Sequence, residues 1–202
     1  MRFAPLAWLP VLLLCTGPSV AAPEDVSEPI ELPPGKAWVH EPSGVRFPAD
    51  VGTFTRVSGY RYDDDGKNVS VGYSDSALKL ILTAYVYPNG GESTLKHFER
   101  VKRDVKLIHP ESTIVAEGQW MFEQGGRKLS GRRAAFVFSV PIAGRQHEVI
   151  SEAYLLRLGD HFVKFRATCP REKYEPAVDR VARFFQALKL PEDSARAAAS
   201  AK

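Results

Sequence analysis

The sequence has almost no cysteine: Cys15 and Cys169 are the only two in 202 residues. Cys15 lies in an apolar N-terminal run that reads as removable, so a single thiol, Cys169, is expected to remain. One thiol excludes an intramolecular disulfide framework, and packing alone must hold the fold. There is no Cys-x-x-Cys pair. The five histidines, His40, His97, His109, His147 and His161, are dispersed without the i,i+4 spacing of a helical zinc site, so no metal and no cofactor are expected. The chain also lacks a charge excess of one sign. Its 27 Lys and Arg face 24 Asp and Glu, and removal of the N-terminal run takes away Arg2 and no acid. A near-neutral chain is not expected to bind nucleic acid, which calls for a basic excess on one face. No run is long and apolar enough for the roughly 20 residues of a membrane-spanning helix, so no transmembrane segment is expected. A Gly-x-Ser-x-Gly elbow and a phosphate-binding glycine loop are both missing.

What is present begins with Arg2, followed by apolar Phe3 to Cys15 and then small Ser19-Val20-Ala21. That order predicts a secretory signal over 1–21, cut near Ala21 or Ala22, and a periplasmic or secreted mature protein. Cys15 follows three leucines rather than a small residue, which argues against a lipid anchor. Residues 22–37 carry four prolines and four acids and predict a flexible Pro/Glu-rich leader. Residues 38–191 suffice for a single domain with its own core. The polar, alanine-rich end, 192–202, predicts a disordered tail.

Within the domain the periodicity changes twice. Strand-like runs at 45–48, 54–62 and 68–74 are split by Asp63-Asp64-Asp65-Gly66, an Asp-Gly hairpin signal. The run 77–88 is apolar on both alternating sets, which predicts a central strand covered on both faces. Leu95, Phe98, Val101, Val105 and Ile108 then recur every three or four residues, one face of a helix with Ser93 as its cap and Pro110 as its stop. Strand patterns return at 113–124, 128–140, 147–158 and 161–169. A final helix presents Tyr174, Val178, Val181, Phe184, Phe185 and Leu188. Hairpin connections dominate, so the expected class is α+β, a mainly antiparallel sheet covered by amphipathic helices.

The C-terminal half places Tyr154, Gly159, Phe162, Phe165 and Pro170 in a hairpin, and Phe184, Phe185 and Leu188 on the helix after it. This ending resembles that of the PsbP/Mog-like α/β/α sandwich proteins. The first half is similar to uncharacterised bacterial exported proteins of the same design. The resemblance covers most of 38–190 and implies a binding or assembly module; with the export signal, a monomeric chain with a protein partner in the cell envelope is expected. It carries over no site residue, because only core and turn positions match. The alternative is a small envelope hydrolase whose site is assembled only by the fold.

Several residues can carry chemistry. Ser93-Thr94-Leu95-Lys96 is similar to the Ser-x-x-Lys of penicillin-binding serine acylases, but no Ser-Asp-Asn or Lys-Thr-Gly accompanies it. Asp63–Asp65 would misplace the first and last ligands of a calcium loop. Arg100 and Arg103 lie on the basic helix face with Lys96, Lys102 and Lys106, a surface for an acidic partner or simply a solvated face with a Glu99–Arg103 pair. Alternation in HFVKFRATC sets Val163, Phe165, Ala167 and Cys169 on one side, which predicts a buried, unreactive thiol. Lys164 and Arg166 fall on the other side. With Glu152 on the preceding strand they form either an ion-paired cluster or a groove for an anionic ligand.

Overall fold

The computed structural model describes residues 27–142 and 144–191. The expected signal, the first residues of the leader and the tail lie outside them. Short strands come first: β1 (Glu28–Pro29), β2 (Trp38–His40), β3 (Val45–Phe47) and β4 (Asp50–Val51). The long strands β5 (Phe54–Arg61), β6 (Val69–Asp75) and β7 (Leu80–Pro88) lead to helix α1 (Thr94–Ile108). A meander follows, β8 (Thr113–Gln124), β9 (Arg127–Ile142), β10 (Arg145–Leu158) and β11 (His161–Pro170). One 3-10 turn (Arg171–Lys173) then enters α2 (Tyr174–Ala187). The class is α+β.

The main sheet runs β1-β5-β6-β7-β11-β10-β9-β8, with β4 attached to β5, and every pairing in it is antiparallel. The helix α1 carries the chain from β7 to the far edge. The meander then works back until β11 pairs with β7. Turn chemistry supports each step. Gly66 takes the left-handed conformation (φ +62°) after Asp63, whose side chain accepts a hydrogen bond from the Asn68 N–H at 3.1 Å. Gly159 does the same in the two-residue turn that sets Leu158 opposite His161.

Alternation then sorts the side chains to two faces. Val163, Phe165, Ala167 and Cys169 of β11 share a core with Ala177, Val181, Phe184 and Phe185 of α2 and with Val45 and Phe47 of the β2–β3 hairpin. Phe162 of β11 faces the other way and packs with Phe98, Val101 and Val105 of α1 over Ala134, Phe136, Ala153 and Leu155. The two helices therefore lie on opposite faces. Phe184 stands edge-on to Phe54, Tyr73 and Phe165 at ring separations of 5.2, 5.0 and 6.3 Å, a geometry aromatic quadrupoles favour.

Two expectations change. The run 77–88 is central, between β6 and β11, but only one of its faces is fully covered. Leu80, Leu82, Ala84 and Val86 are buried, whereas Ile81 is 58% exposed and Thr83, Tyr85 and Tyr87 are half-buried. A helix about 10 Å wide spans roughly two strands at about 4.8 Å spacing. α1 lies over β9 and β10, which leaves the same face of β5–β7 open. The strand also starts later than expected, because Ser76–Lys79 form a turn capped by Asp75, which accepts from the Ala77 and Leu78 N–H groups. The leader, expected to be flexible, is tied along β5 from Glu28 to Lys36. Glu28 pairs with Arg61, the Ile30 N–H donates to the Gly59 carbonyl at 2.9 Å, and Arg56 donates to the Pro33 and Lys36 carbonyls. Its few apolar residues suffice for this, since Ile30 and Leu32 pack on the core.

Candidate functional site

The hairpin register decides which of the charged residues meet. With a two-residue turn, Glu152 stands opposite Ala167 and Lys164 opposite Leu155. Cross-strand partners share a face, so Glu152 points to the α2 side and Lys164 and Arg166 point to the α1 side. The expected cluster of Glu152, Lys164 and Arg166 is divided by the sheet. Glu152 is 3% exposed and fully engaged. It accepts from Arg133 Nε at 2.9 Å and Nη2 at 2.5 Å, from the Tyr174 hydroxyl at 3.0 Å, and from the Tyr154 hydroxyl. This is a structural network with no vacant position for a ligand.

The cations on the opposite face have no such acid. Among the described residues, neither Lys164 nor Arg166 forms an ion pair. Arg166 donates from Nε to the Ser151 hydroxyl at 2.9 Å, which in turn bonds Thr168 at 2.7 Å. Lys164 is held by aromatic rings. Its cross-strand partner is Tyr85, and Nζ lies 4.2 Å from the centroid of that ring and 5.8 Å from that of Tyr87. Ring faces attract a cation without neutralising it. Burial, reinforced by the neighbouring Arg166 charge, brings the Lys164 ammonium down to about 8, against a weaker pull from Asp104.

Lys164 opens into a groove of about 290 Å³ between the exposed part of the sheet and α1, lined by Tyr62, Asn68, Tyr85, Tyr87, Arg100 and Asp104 among others. One wall carries a hydrogen-bonded chain. The Tyr87 hydroxyl lies 2.7 Å from His97 Nε2, and His97 Nδ1 lies 2.8 Å from Glu92. Burial lowers the His97 pKa and favours the neutral ring. Nδ1 faces both the Glu92 carboxylate, which can only accept, and Arg100 Nη2, which can only donate, at 2.6 Å, while Nε2 faces the Tyr87 hydroxyl. His97 also stacks on Phe162 at 4.3 Å, which fixes the ring.

Of the two helix arginines, Arg100 stands at the groove rim and donates to Glu92 at 2.8 Å. Arg103 is exposed and makes no ion pair among the described residues. Glu99 pairs with Lys102 at 2.9 Å instead of Arg103, and Lys102 also reaches Glu117 at 2.6 Å. The basic helix face is thus partly spent on acids of its own chain. Tyr62, Asn68, Tyr85 and Tyr87 escaped the sequence reading. The usable signal was the Tyr85/Tyr87 alternation, which marks one strand face as aromatic and polar-tipped.

The rival catalytic positions are occupied structurally. Ser93 Oγ accepts the Lys96 N–H at 3.3 Å as the cap of α1. Asp65 pairs with Lys67 at 2.7 Å within its turn. His40 and Ser43 form a close pair, Nδ1 to Oγ 2.6 Å, with Nε2 donating to the Gly66 carbonyl at 2.8 Å. They resemble a hydrolytic dyad in distance, but both are sealed, 1% and 2% exposed, so no substrate reaches the hydroxyl. Cys169 is buried, and burial raises its thiol to about 11, the opposite of nucleophilic activation.

No protein-family model matches this chain, and no curated protein matches it.

Proposed function

We propose that this chain is an exported, non-catalytic binding module, built as an α/β/α sandwich of the PsbP/Mog type, and that the Lys164 groove holds a small anion, a carboxylate or a phosphate. One observation carries the reading: a half-buried lysine held by two tyrosine rings, without an ion pair among the described residues, at the wall of an open groove. A charge removed from water without a partner is costly, and an arriving anion offsets that cost. The layering supports the fold assignment, with α1 and α2 on opposite sides of an antiparallel sheet. The N-terminal pattern of Arg2 and the apolar run supports export. An acidic side chain of a cell-envelope protein presents the same carboxylate as a free ligand, and that would make the module an assembly factor.

Calorimetric titration with inorganic phosphate and with succinate tests the site. Saturable binding is expected in the wild type, with about tenfold weaker affinity in Lys164→Met, the scale of one charge-assisted contact. Lys128→Ala, at an exposed position near the start of β9, is expected to bind normally. Equal affinity in Lys164→Met and wild type would remove the groove from the proposal. Recovery of an envelope protein that succinate then displaces would identify the carboxylate as a partner's.

A further inference from the structure

We propose that Lys164 is a carbonyl-reactive amine, and that the groove condenses it with a small anionic aldehyde or 2-oxo acid to form an imine. The inference rests on the anion-binding reading of the same groove and adds a covalent step to it. A lysine becomes a nucleophile when its environment favours the neutral amine and leaves its lone pair accessible. Three other lysines are tied by their charge: Lys67 to Asp65, Lys102 to Glu99 and Glu117, and Lys106 to the Ser112 carbonyl. Lys164 has ring faces beside it, at 4.2 and 5.8 Å, and it lines open space. Arg166 lies two residues along the same strand face, and its positive charge disfavours a second cation at Lys164.

The step balances within these groups. The Nζ lone pair forms a bond to the carbonyl carbon. The carbonyl oxygen then leaves as water, carrying the two hydrogens of the neutral amine. No oxidant or reductant is consumed. Loss of hydroxide from the carbinolamine needs a proton, which solvent supplies through the open groove. Burial at pKa about 8 leaves a neutral fraction of Lys164 at neutral pH, where an ordinary lysine has almost none.

The test treats the full chain with limiting pyridoxal phosphate, an anionic aldehyde, and with uncharged pyridoxal. Cyanoborohydride traps any imine and peptide mass spectrometry locates it. Lys164 is expected to take up about ten times more label than any other lysine, faster from the phosphorylated aldehyde, and more slowly when inorganic phosphate is added. The labelling rate is expected to rise through about pH 8. Lys164→Arg is expected to lose the label. Label spread evenly over exposed lysines, or a Lys164 rate that rises only near the pH of ordinary lysines, would overturn the proposal. If phosphate binds but Lys164 stays unlabelled, the imine fails and the anion site stands. If phosphate does not bind either, both fail.

Discussion

On the α2 face of the sheet, Glu152 is enclosed by an arginine and two tyrosine hydroxyls. On the α1 face of the same strands, Lys164 lies among tyrosine rings and forms no ion pair among the described residues. Both are charged residues taken largely out of water, and both stand on adjacent strands of one hairpin. They differ in satisfaction. A buried charge whose hydrogen bonds are complete belongs to the architecture, and its removal strands its partners. A half-buried charge left incomplete weakens the fold and is available to something outside it. The covering layers cause the difference. α2, the β2–β3 hairpin and the Trp120, Phe122 and Phe185 cluster close one face. A single helix, α1, leaves part of the other open.

The contrast is broken most directly at Glu152. Glu152→Ala is expected to cost about 3 kcal/mol in urea unfolding, because it leaves Arg133 and two tyrosine hydroxyls without their acceptor. Phosphate binding per folded molecule is expected to be unchanged. A loss below about 1 kcal/mol would mean that this network contributes no more than a surface pair.

The opposite sign is expected at Lys164. Its folded pKa, about 8, lies below the ordinary lysine value of 10.5. The fold therefore disfavours the charged form. That penalty is full below pH 8 and is relieved as pH rises from about 8 towards 10.5. Lys164→Met is expected to be more stable than wild type at neutral pH by about 1–2 kcal/mol, discounted for partial exposure and for the ring contacts that favour the cation. The advantage is expected to shrink at alkaline pH. Paired urea curves at neutral pH and near pH 10 read this out, and a variant less stable than wild type at neutral pH would show that the tyrosine rings fully satisfy the ammonium.

The smallest effect concerns the closed face again. Cys169→Ala is expected to cost about 1 kcal/mol. With the thiol buried and raised to about 11, a polar thiol reagent should react slowly until the protein is unfolded. Rapid labelling of the native protein would show that the α2 face opens near Pro170.

Much of this was legible from residues alone. The three-to-four spacing marked α1, and Ser93 and Pro110 bounded it. Alternation placed Cys169 with Val163, Phe165 and Ala167. Even the separation of Glu152 from Lys164 was encoded, since a two-residue Gly159-Asp160 turn sets Glu152 opposite Ala167. The leader was less legible, because composition does not reveal that Ile30 and Leu32 find a core and that β5 has an edge to be paired.

The sequence by itself determined the elements, their turns and which side chains share a strand face, because those depend on repeats of two and of 3.6 residues within short segments. Only the tertiary structure decided that β11 returns to pair with β7, that α1 comes to rest over β9 and β10, and that Tyr62, Asn68, Tyr85, Arg100 and Lys164 therefore border one groove. These residues come from the connection between β5 and β6, from β7, from α1 and from β11. Their meeting depends on strand order and helix placement, which are settled by contacts between distant segments and leave no periodic trace in any one of them.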